Sequence, residues 1–305
     1  MRNRLAGALA AALFSMTPFA ARAAALPPDP PRAESFDVGT LHVDRYGSGD
    51  PIVLVPGLAS GAWVWNGLIP HLAAKHSVYA VTIAGFAGRP AAGTTSFAAF
   101  ENDLTALLDQ RHLAKPVVVG HSLGGTLAID FAETHPDRVR AIVAADGLPI
   151  FPGMQQLTQQ QREAIGAQMS AGVKTPTHDQ LLAFEKGYMA SVGVNDAALA
   201  DQVATLSAQS DSATVVAWLQ ADLAADLRPN LAKITVPVLE IAPYSPAEGN
   251  PAMHFAEAEK GDFYRTLLAG VAKLDVVTIA PSRHFVMLDQ PERFQKALDD
   301  FLARL

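Results

Sequence analysis

Val117-Val118-Val119-Gly120-His121-Ser122-Leu123-Gly124-Gly125 is the stretch that decides the fold. The β-branched run before Gly120 has no helical period and predicts a buried strand. From Leu123 onward the apolar positions follow the period of an amphipathic helix. The pattern Gly-x-Ser-x-Gly therefore joins a strand to a helix through a turn so sharp that larger side chains would collide. This turn raises the Ser122 hydroxyl above the end of a sheet, at the positive end of the helix dipole, which is typical of a nucleophile.

Strands and helices alternate on both sides of this stretch. Residues 36–46 alternate apolar and polar side chains and predict a hairpin. Further strands are predicted at 51–55, 78–83, 139–145, 236–241 and 274–280, with helices at 97–112 and 290–305. The alternation predicts an α/β fold with a doubly wound, mostly parallel sheet. In such sheets the chemistry lies at the carboxyl ends of the strands.

Residues 150–228 interrupt this alternation. They are rich in Gln, Ala, Ser and Met, and they show helical patterns without a convincing strand. We therefore expect a helical cap over residues 150–228, inserted between two late strands. The core is then formed by residues 36–149 and 229–305, and the Pro-rich residues 24–35 are expected to be a tether.

The first 23 residues have the pattern of a signal peptide. Arg2 and Arg4 precede an apolar stretch from Leu5 to Phe14, and Ala21-Arg22-Ala23 fits a cleavage site. The apolar stretch is too short to span a bilayer, so no stable membrane anchor is expected. The sequence predicts export to the periplasm or the medium. The absence of cysteine excludes disulfides and thiol catalysis.

The charge and the motif content restrict the partners. Removing residues 1–23 with their three arginines changes the formal charge from −7 to −10. An acidic chain disfavours nucleic acid and anionic lipid as partners. No His-Glu-x-x-His spacing, phosphate loop or dinucleotide fingerprint is present, so we expect neither a metal nor a cofactor. A small molecule is the expected partner, and the oligomeric state stays open.

A serine nucleophile needs a base, and the base needs a carboxylate to orient it. His284 follows the last predicted strand at the catalytic edge and is the candidate base. Asp146 ends the strand after the Ser122 helix, while Glu248 lies in the loop after the next strand. We favour Asp146 because a short acid at a strand end is better positioned, with Glu248 as the alternative. His121 neighbours Ser122, but the turn is expected to direct the two side chains apart.

Two backbone N–H groups are candidates for an oxyanion hole. One is the Leu58 N–H in the Gly-rich loop 56–61, and the other is the Leu123 N–H directly after the serine. Trp63 and Phe86 are candidate substrate contacts, although aromatic side chains at these positions can equally serve the core.

These motifs resemble the α/β-hydrolase superfamily, in its cap-bearing esterase and lipase-like branch, over about residues 36–305. Residues 120–124 match the family's nucleophile turn, residues 56–58 its oxyanion loop and residues 284–285 its base loop. The family's usual His-Gly in the oxyanion loop reads Pro56-Gly57 here. The Gly-x-x-Asp expected after the penultimate strand is replaced by residues 243–246, Pro-Tyr-Ser-Pro. Because some relatives carry the acid one strand earlier, this departure also favours Asp146.

The resemblance implies hydrolysis of a carboxylic ester through a Ser-His-Asp triad and an acyl-enzyme. Lactone, amide or carbon–carbon bond hydrolysis on the same residues is the first alternative. A non-catalytic binding protein on this fold is the second. The serine at position 122 separates the chain from dehalogenases and epoxide hydrolases, whose similar turns carry Asp.

Overall fold

The computed structural model describes residues 25–171, 176–246 and 256–305. The predicted signal peptide, residues 1–23, and the alternative acid Glu248 lie outside the described residues.

Within the described ranges, the strands form one eight-stranded sheet with the order β1-β2-β4-β3-β5-β6-β7-β8. The strands are β1 (Glu34–Val38), β2 (Leu41–Gly47), β3 (Asp50–Val55), β4 (His76–Ile83), β5 (Val117–His121), β6 (Ala141–Ala145), β7 (Val238–Pro243) and β8 (Leu274–Ile279). β2 pairs antiparallel with β1 and β4, whereas all neighbours from β4 to β8 pair in parallel. The predicted doubly wound, mostly parallel sheet is confirmed.

Helices cover both faces of the sheet and form the cap. They are α1 (Ile69–Ala73), α2 (Phe97–Gln110), α3 (Leu123–Thr134), α4 (Gln159–Ala171), α5 (His178–Tyr188), α6 (Ala197–Ser207), α7 (Ser212–Ala224), α8 (Glu257–Leu267), α9 (Val286–Asp289) and α10 (Pro291–Leu302). One large apolar cluster includes Phe100, Leu104 and Phe131, and a second includes Trp65 and Phe294. Each cluster combines side chains of the sheet with side chains of helices, as the layered architecture requires.

Several helices have a side-chain cap at their N-terminus, formed by a Ser, Thr or Asp residue. Ser96 Oγ accepts the Ala99 N–H at 3.1 Å and begins α2. Thr177 and Gln180 form a reciprocal capping box at α5. Each such cap satisfies an N–H group that has no partner within the helix.

The cap follows β6 and precedes β7. It comprises α4 to α7 and a single π-helical turn, Met189–Gly193, and it contains no strand in its described residues. An isolated bridge between Ile150 and Asp226 joins its two ends. Ser210 Oγ accepts the Ala87 N–H at 2.9 Å and donates to the Ala59 carbonyl at 3.1 Å, which anchors the cap to the core. Among the described residues, every helix is too short or too polar to cross a bilayer.

The Pro-rich segment before β1 lies against the body of the protein rather than extending as a tether. The Leu26 N–H donates to Gln202 Oε1 of α6 at 3.2 Å. Asn66 Nδ2 donates to the Pro27 carbonyl at 3.1 Å and to Asp29 Oδ1 at 2.8 Å. Each of these contacts joins residues far apart in the chain, so the local composition could not predict them.

Candidate active site

Ser122 lies at the sharp turn between β5 and α3. Its φ of 53° and ψ of −124° fall outside the usual regions for a residue with a side chain. A Cβ added at Gly124 would lie 2.4 Å from the Val55 carbonyl oxygen, so the close approach of α3 to β3 requires glycine there. The Ser122 N–H donates to the Ala145 carbonyl at 2.9 Å and ties the turn to β6. The strained backbone is therefore held by contacts on two sides.

Asp146 and His284 form a direct contact above the carboxyl ends of β6 and β8. His284 Nδ1 lies 2.5 Å from Asp146 Oδ2, and both side chains are about 15% exposed. Because a carboxylate accepts but does not donate, the proton of this hydrogen bond is assigned to Nδ1. That tautomer leaves Nε2 of His284 as a proton acceptor.

Two residues of α8 support Asp146 from the other side. The Tyr264 hydroxyl donates to Asp146 Oδ1, and Lys260 is 1% exposed. Burial opposes ionisation of Asp146, but His284, Lys260 and Tyr264 outweigh it and lower the pKa to about 2. Asp146 is therefore a carboxylate at neutral pH. Neither partner could be predicted from local sequence, because α8 follows Asp146 by more than a hundred residues.

Glu240 is a further buried acid beside this group. It lies in the middle of β7 and is fully buried. Burial, followed by the negative charge of Asp146, raises the pKa of Glu240 well above its ordinary value. Burial and the neighbouring charge thus favour the neutral form of Glu240, whereas Asp146 keeps its charge beside His284.

His121 lies beneath the loop that carries His284. Its Nε2 donates to the His284 carbonyl at 3.1 Å, and the two ring centroids are 4.6 Å apart. Burial, with a smaller contribution from His284, lowers the pKa of His121 to about 3, so the ring is neutral. The side chain thus contacts the loop of the candidate base, a role that the sequence analysis did not assign.

The cap also holds this loop directly. The N–H groups of His284 and Phe285 donate to the carbonyls of Val192 and Gly193, at 3.1 and 2.9 Å. Both acceptors belong to the π-helical turn, a feature that often occurs at functional sites. The position of His284 therefore depends on the cap as well as on the sheet.

A cavity of about 200 Å³ opens beside Ser122, Asp146 and His284. Its wall is mainly apolar and includes Leu148, Ile150, Phe151, Pro152, Tyr188 and Val192. The structure brings the three candidate triad residues to this one cavity, under the cap. Asp222 of α7 also lines it, although the sequence analysis did not select that residue.

The two candidate oxyanion donors both have free N–H groups. No acceptor in the described part of the chain pairs with the N–H of Leu58 or of Leu123. Leu123 lines the cavity itself, and Leu58 is partly buried against the main core cluster. Gly57 brings the Leu58 loop close to the nucleophile, since a Cβ added there would lie 3.0 Å from Ser122 Cβ.

The two aromatic candidates for substrate contact are not brought to this cavity. Phe86 is 0% exposed and belongs to the main core cluster, because the turn after β4 directs its ring inward. Trp63 is partly buried and lines a different depression, beside Leu26 and Arg32. The aromatic side chains at the cavity are instead Phe151 and Tyr188, both from the cap.

Comparisons with known proteins agree with the fold. The model of the alpha/beta hydrolase family matches residues 52–297. The chain is 32% identical over 115 residues to a pimeloyl-[acyl-carrier protein] methyl ester esterase of Aeromonas hydrophila, covering 37% of this chain and 43% of that relative. It is 28% identical over 236 residues to RutD of Azorhizobium caulinodans, covering 72% and 87%.

A solved structure extends the likeness in three dimensions. A thermophilic esterase from Thermogutta terrifontis superposes with a TM-score of 0.72 at 18% identity, covering 89% of this chain and 99% of that one. At this identity the likeness shows the fold alone. The family model, in contrast, matches most of the chain. The chain therefore belongs to the alpha/beta hydrolase family.

Proposed function

We propose that this protein is a serine hydrolase that cleaves carboxylic esters of small molecules through Ser122, His284 and Asp146. The observation that carries the proposal is the contact between His284 Nδ1 and Asp146, formed at the cavity that Ser122 also lines. A base oriented in this way is what a serine hydroxyl needs to react at neutral pH.

The proposed reaction begins with proton transfer from Ser122 Oγ to Nε2 of His284. The serine oxygen attacks the ester carbonyl, and Asp146 stabilises the imidazolium that forms. The N–H groups of Leu58 and Leu123 donate to the oxyanion, and losing one such donor typically costs about 3–4 kcal/mol.

Collapse of the tetrahedral intermediate breaks the bond to the alcohol oxygen, which leaves with the proton from His284. The acyl group is now bonded to Ser122. His284 then takes a proton from water, which attacks the acyl carbonyl, and the carboxylic acid leaves as Ser122 recovers its proton. The apolar wall of the cavity is suited to the hydrocarbon part of an ester.

Steady-state hydrolysis of p-nitrophenyl esters from acetate to octanoate tests the proposal. We expect turnover of at least one ester, and a loss of kcat of at least about 10³-fold in Ser122→Ala and in His284→Ala. Folding of each variant is checked by thermal unfolding. Equal rates in wild type and both variants would refute the proposed roles.

We also propose that the protein is exported, on the basis of the residue pattern at positions 1–23. Expression of the full chain in a Gram-negative host, followed by fractionation and N-terminal sequencing, tests this. The expected product lies outside the cytoplasm and begins near Ala24. A product that retains Met1 in the cytoplasm would contradict export.

A further inference from the structure

Asp222 is an acidic side chain that the cap places at the candidate active site. It lies in the last turn of α7, and it lines the same cavity as Ser122 and His284. Its backbone carbonyl accepts the Ala225 N–H at 3.2 Å. Its carboxylate, in contrast, has no hydrogen bond or ion pair with any residue in the described part of the chain.

Three other acidic residues of the cap have evident structural roles. Asp196 and Asp211 accept N–H groups at the starts of α6 and α7. Asp201 pairs with Lys186 at 2.8 Å. Asp222 does neither, and it lies near a helix C-terminus, where the helix dipole disfavours negative charge.

The site disfavours the charged form of Asp222 unless a ligand compensates it. Burial raises the pKa of Asp222 to about 7, and only the charge of His284 lowers it. A partly buried carboxylate without a partner costs free energy, so a group that pairs with it from the cavity is favoured.

The charges around the cavity indicate whether the ligand group that pairs with Asp222 is positive or negative. Among the described residues that line the cavity, none is lysine or arginine. Asp146, the second acid at the cavity, already has His284 and Tyr264 as partners. Phe151 and Tyr188 contribute aromatic rings, whose faces attract cations. The Asp222 carboxylate, which has no counter-ion, would repel an anionic substrate. A cation would be attracted both by that carboxylate and by the aromatic rings.

From this arrangement we propose that Asp222 binds a cationic group of the substrate, so that the preferred substrates are small esters carrying an ammonium group. The proposal rests on the proposed ester hydrolase function and specifies its substrate class. Asp222 selects the substrate by charge and takes no part in bond breaking.

Two pairs of esters that match in shape but differ in charge test this proposal. On the alcohol side, 2-(trimethylammonio)ethyl acetate is compared with 3,3-dimethylbutyl acetate. On the acyl side, the p-nitrophenyl ester of 4-(trimethylammonio)butanoate is compared with that of 5,5-dimethylhexanoate. We expect kcat/KM for the cationic ester to exceed that of its uncharged isostere by about tenfold or more in at least one pair, as for other charge-assisted contacts.

The variant Asp222→Asn keeps the size of the side chain and removes its charge. The ratio of kcat/KM values should fall to about one in this variant. Asp201→Asn, which removes one exposed acid elsewhere on the cap, should retain the wild-type ratio. Because the two esters of a pair are compared within one protein preparation, differences between variants in the fraction of active enzyme cancel in the ratio of kcat/KM values.

The wild-type protein supplies a second test that needs no variant. The preference for the cation should be full at pH 8.5 and largely lost at pH 5.5, because Asp222 becomes neutral below its pKa of about 7. In the described lining of the cavity, the other titratable groups are Asp146, Tyr188 and His284. Their effect on turnover is common to both esters of a pair and cancels in the ratio.

The outcomes separate this proposal from the proposed function. Ratios near one for both pairs in wild type, or a cation preference that persists in Asp222→Asn, would overturn the cation site. In either case, continued hydrolysis of the uncharged isosteres would leave the ester hydrolase function standing. Failure of the function itself would appear as no turnover of any ester in wild type.

Discussion

Replacing Asp146 by Asn is the most informative single change at the candidate active site. Asp146 accepts one hydrogen bond from His284 and a second from Tyr264. Asn has one acceptor oxygen and one donor NH₂ group, so its two side-chain atoms cannot both accept a hydrogen bond as the two carboxylate oxygens do. The substitution also removes the negative charge beside the imidazolium that forms during the proposed reaction.

The pKa of Asp146 gives the order of magnitude of the effect. The pKa of Asp146 falls from 3.8 to about 2 although burial opposes this, and the difference corresponds to a favourable interaction on the order of 2–3 kcal/mol. Since His284 is the largest favourable contribution, losing an interaction of this size would lower kcat by about 10²-fold. If Asn also selects the wrong imidazole tautomer, the loss approaches about 10⁴-fold.

The assay is hydrolysis of a p-nitrophenyl ester at pH 8 by wild type, Asp146→Asn and the control Glu248→Gln. We expect a 10²- to 10⁴-fold lower kcat for Asp146→Asn, little change in KM and near wild-type rates for Glu248→Gln. A folded Asp146→Asn variant with wild-type kcat, or a large loss confined to Glu248→Gln, would refute the assignment of the acid.

Two further changes test the supports of the site, and a third tests Glu133, a buried acid near the C-terminal end of α3. His121→Phe keeps an aromatic ring but removes the donor to the base loop, so kcat should fall about tenfold with KM little changed; an unaltered kcat would contradict this positioning role. Gly124→Ala places a Cβ 2.4 Å from a carbonyl oxygen of β3 and should lower Tm sharply. Gly166→Ala in α4 should not, because the atom nearest to the added Cβ, Gln220 Cα, lies at 3.5 Å. Burial raises the pKa of Glu133 to about 7 from 4.5, so its contribution to stability is full below pH 4.5 and is lost as the pH rises through 7. Glu133→Gln should therefore reduce the loss of unfolding free energy between pH 5 and 8 by up to about 3 kcal/mol, measured by urea unfolding at both pH values.

Patterns of neighbouring residues predict the strands, turns and helices whose formation depends mainly on local sequence. The apolar β-branched run before Gly120 becomes β5, and the Gly-rich turn after it directs Ser122 to the end of the sheet. The hairpin predicted at 36–46 corresponds to β1 and β2, with bounds shifted by one or two residues. The predicted cap region contains helices and no strand in its described part.

The parts that the sequence could not predict depend on contacts between distant segments. Tyr264 and Lys260 reach Asp146 from α8, and Asp222 reaches the cavity from α7. Phe86 follows β4 at the edge of the sheet where substrate contacts are expected, yet its ring is buried in the core. The periodicity of one sequence does not show whether such a side chain lies in the core or at the cavity, because this depends on which helices and strands pack together in the tertiary structure.

Covalent labelling by a fluorophosphonate tests the central claim most directly, because the reagent reacts only with a serine activated by a nearby base. We predict a single adduct on the peptide that contains Ser122, no adduct in Ser122→Ala and greatly slowed labelling in His284→Ala, with peptide mass spectrometry as the readout. Folded wild-type protein whose Ser122 remains unmodified, or labelling at a different residue, would contradict the account.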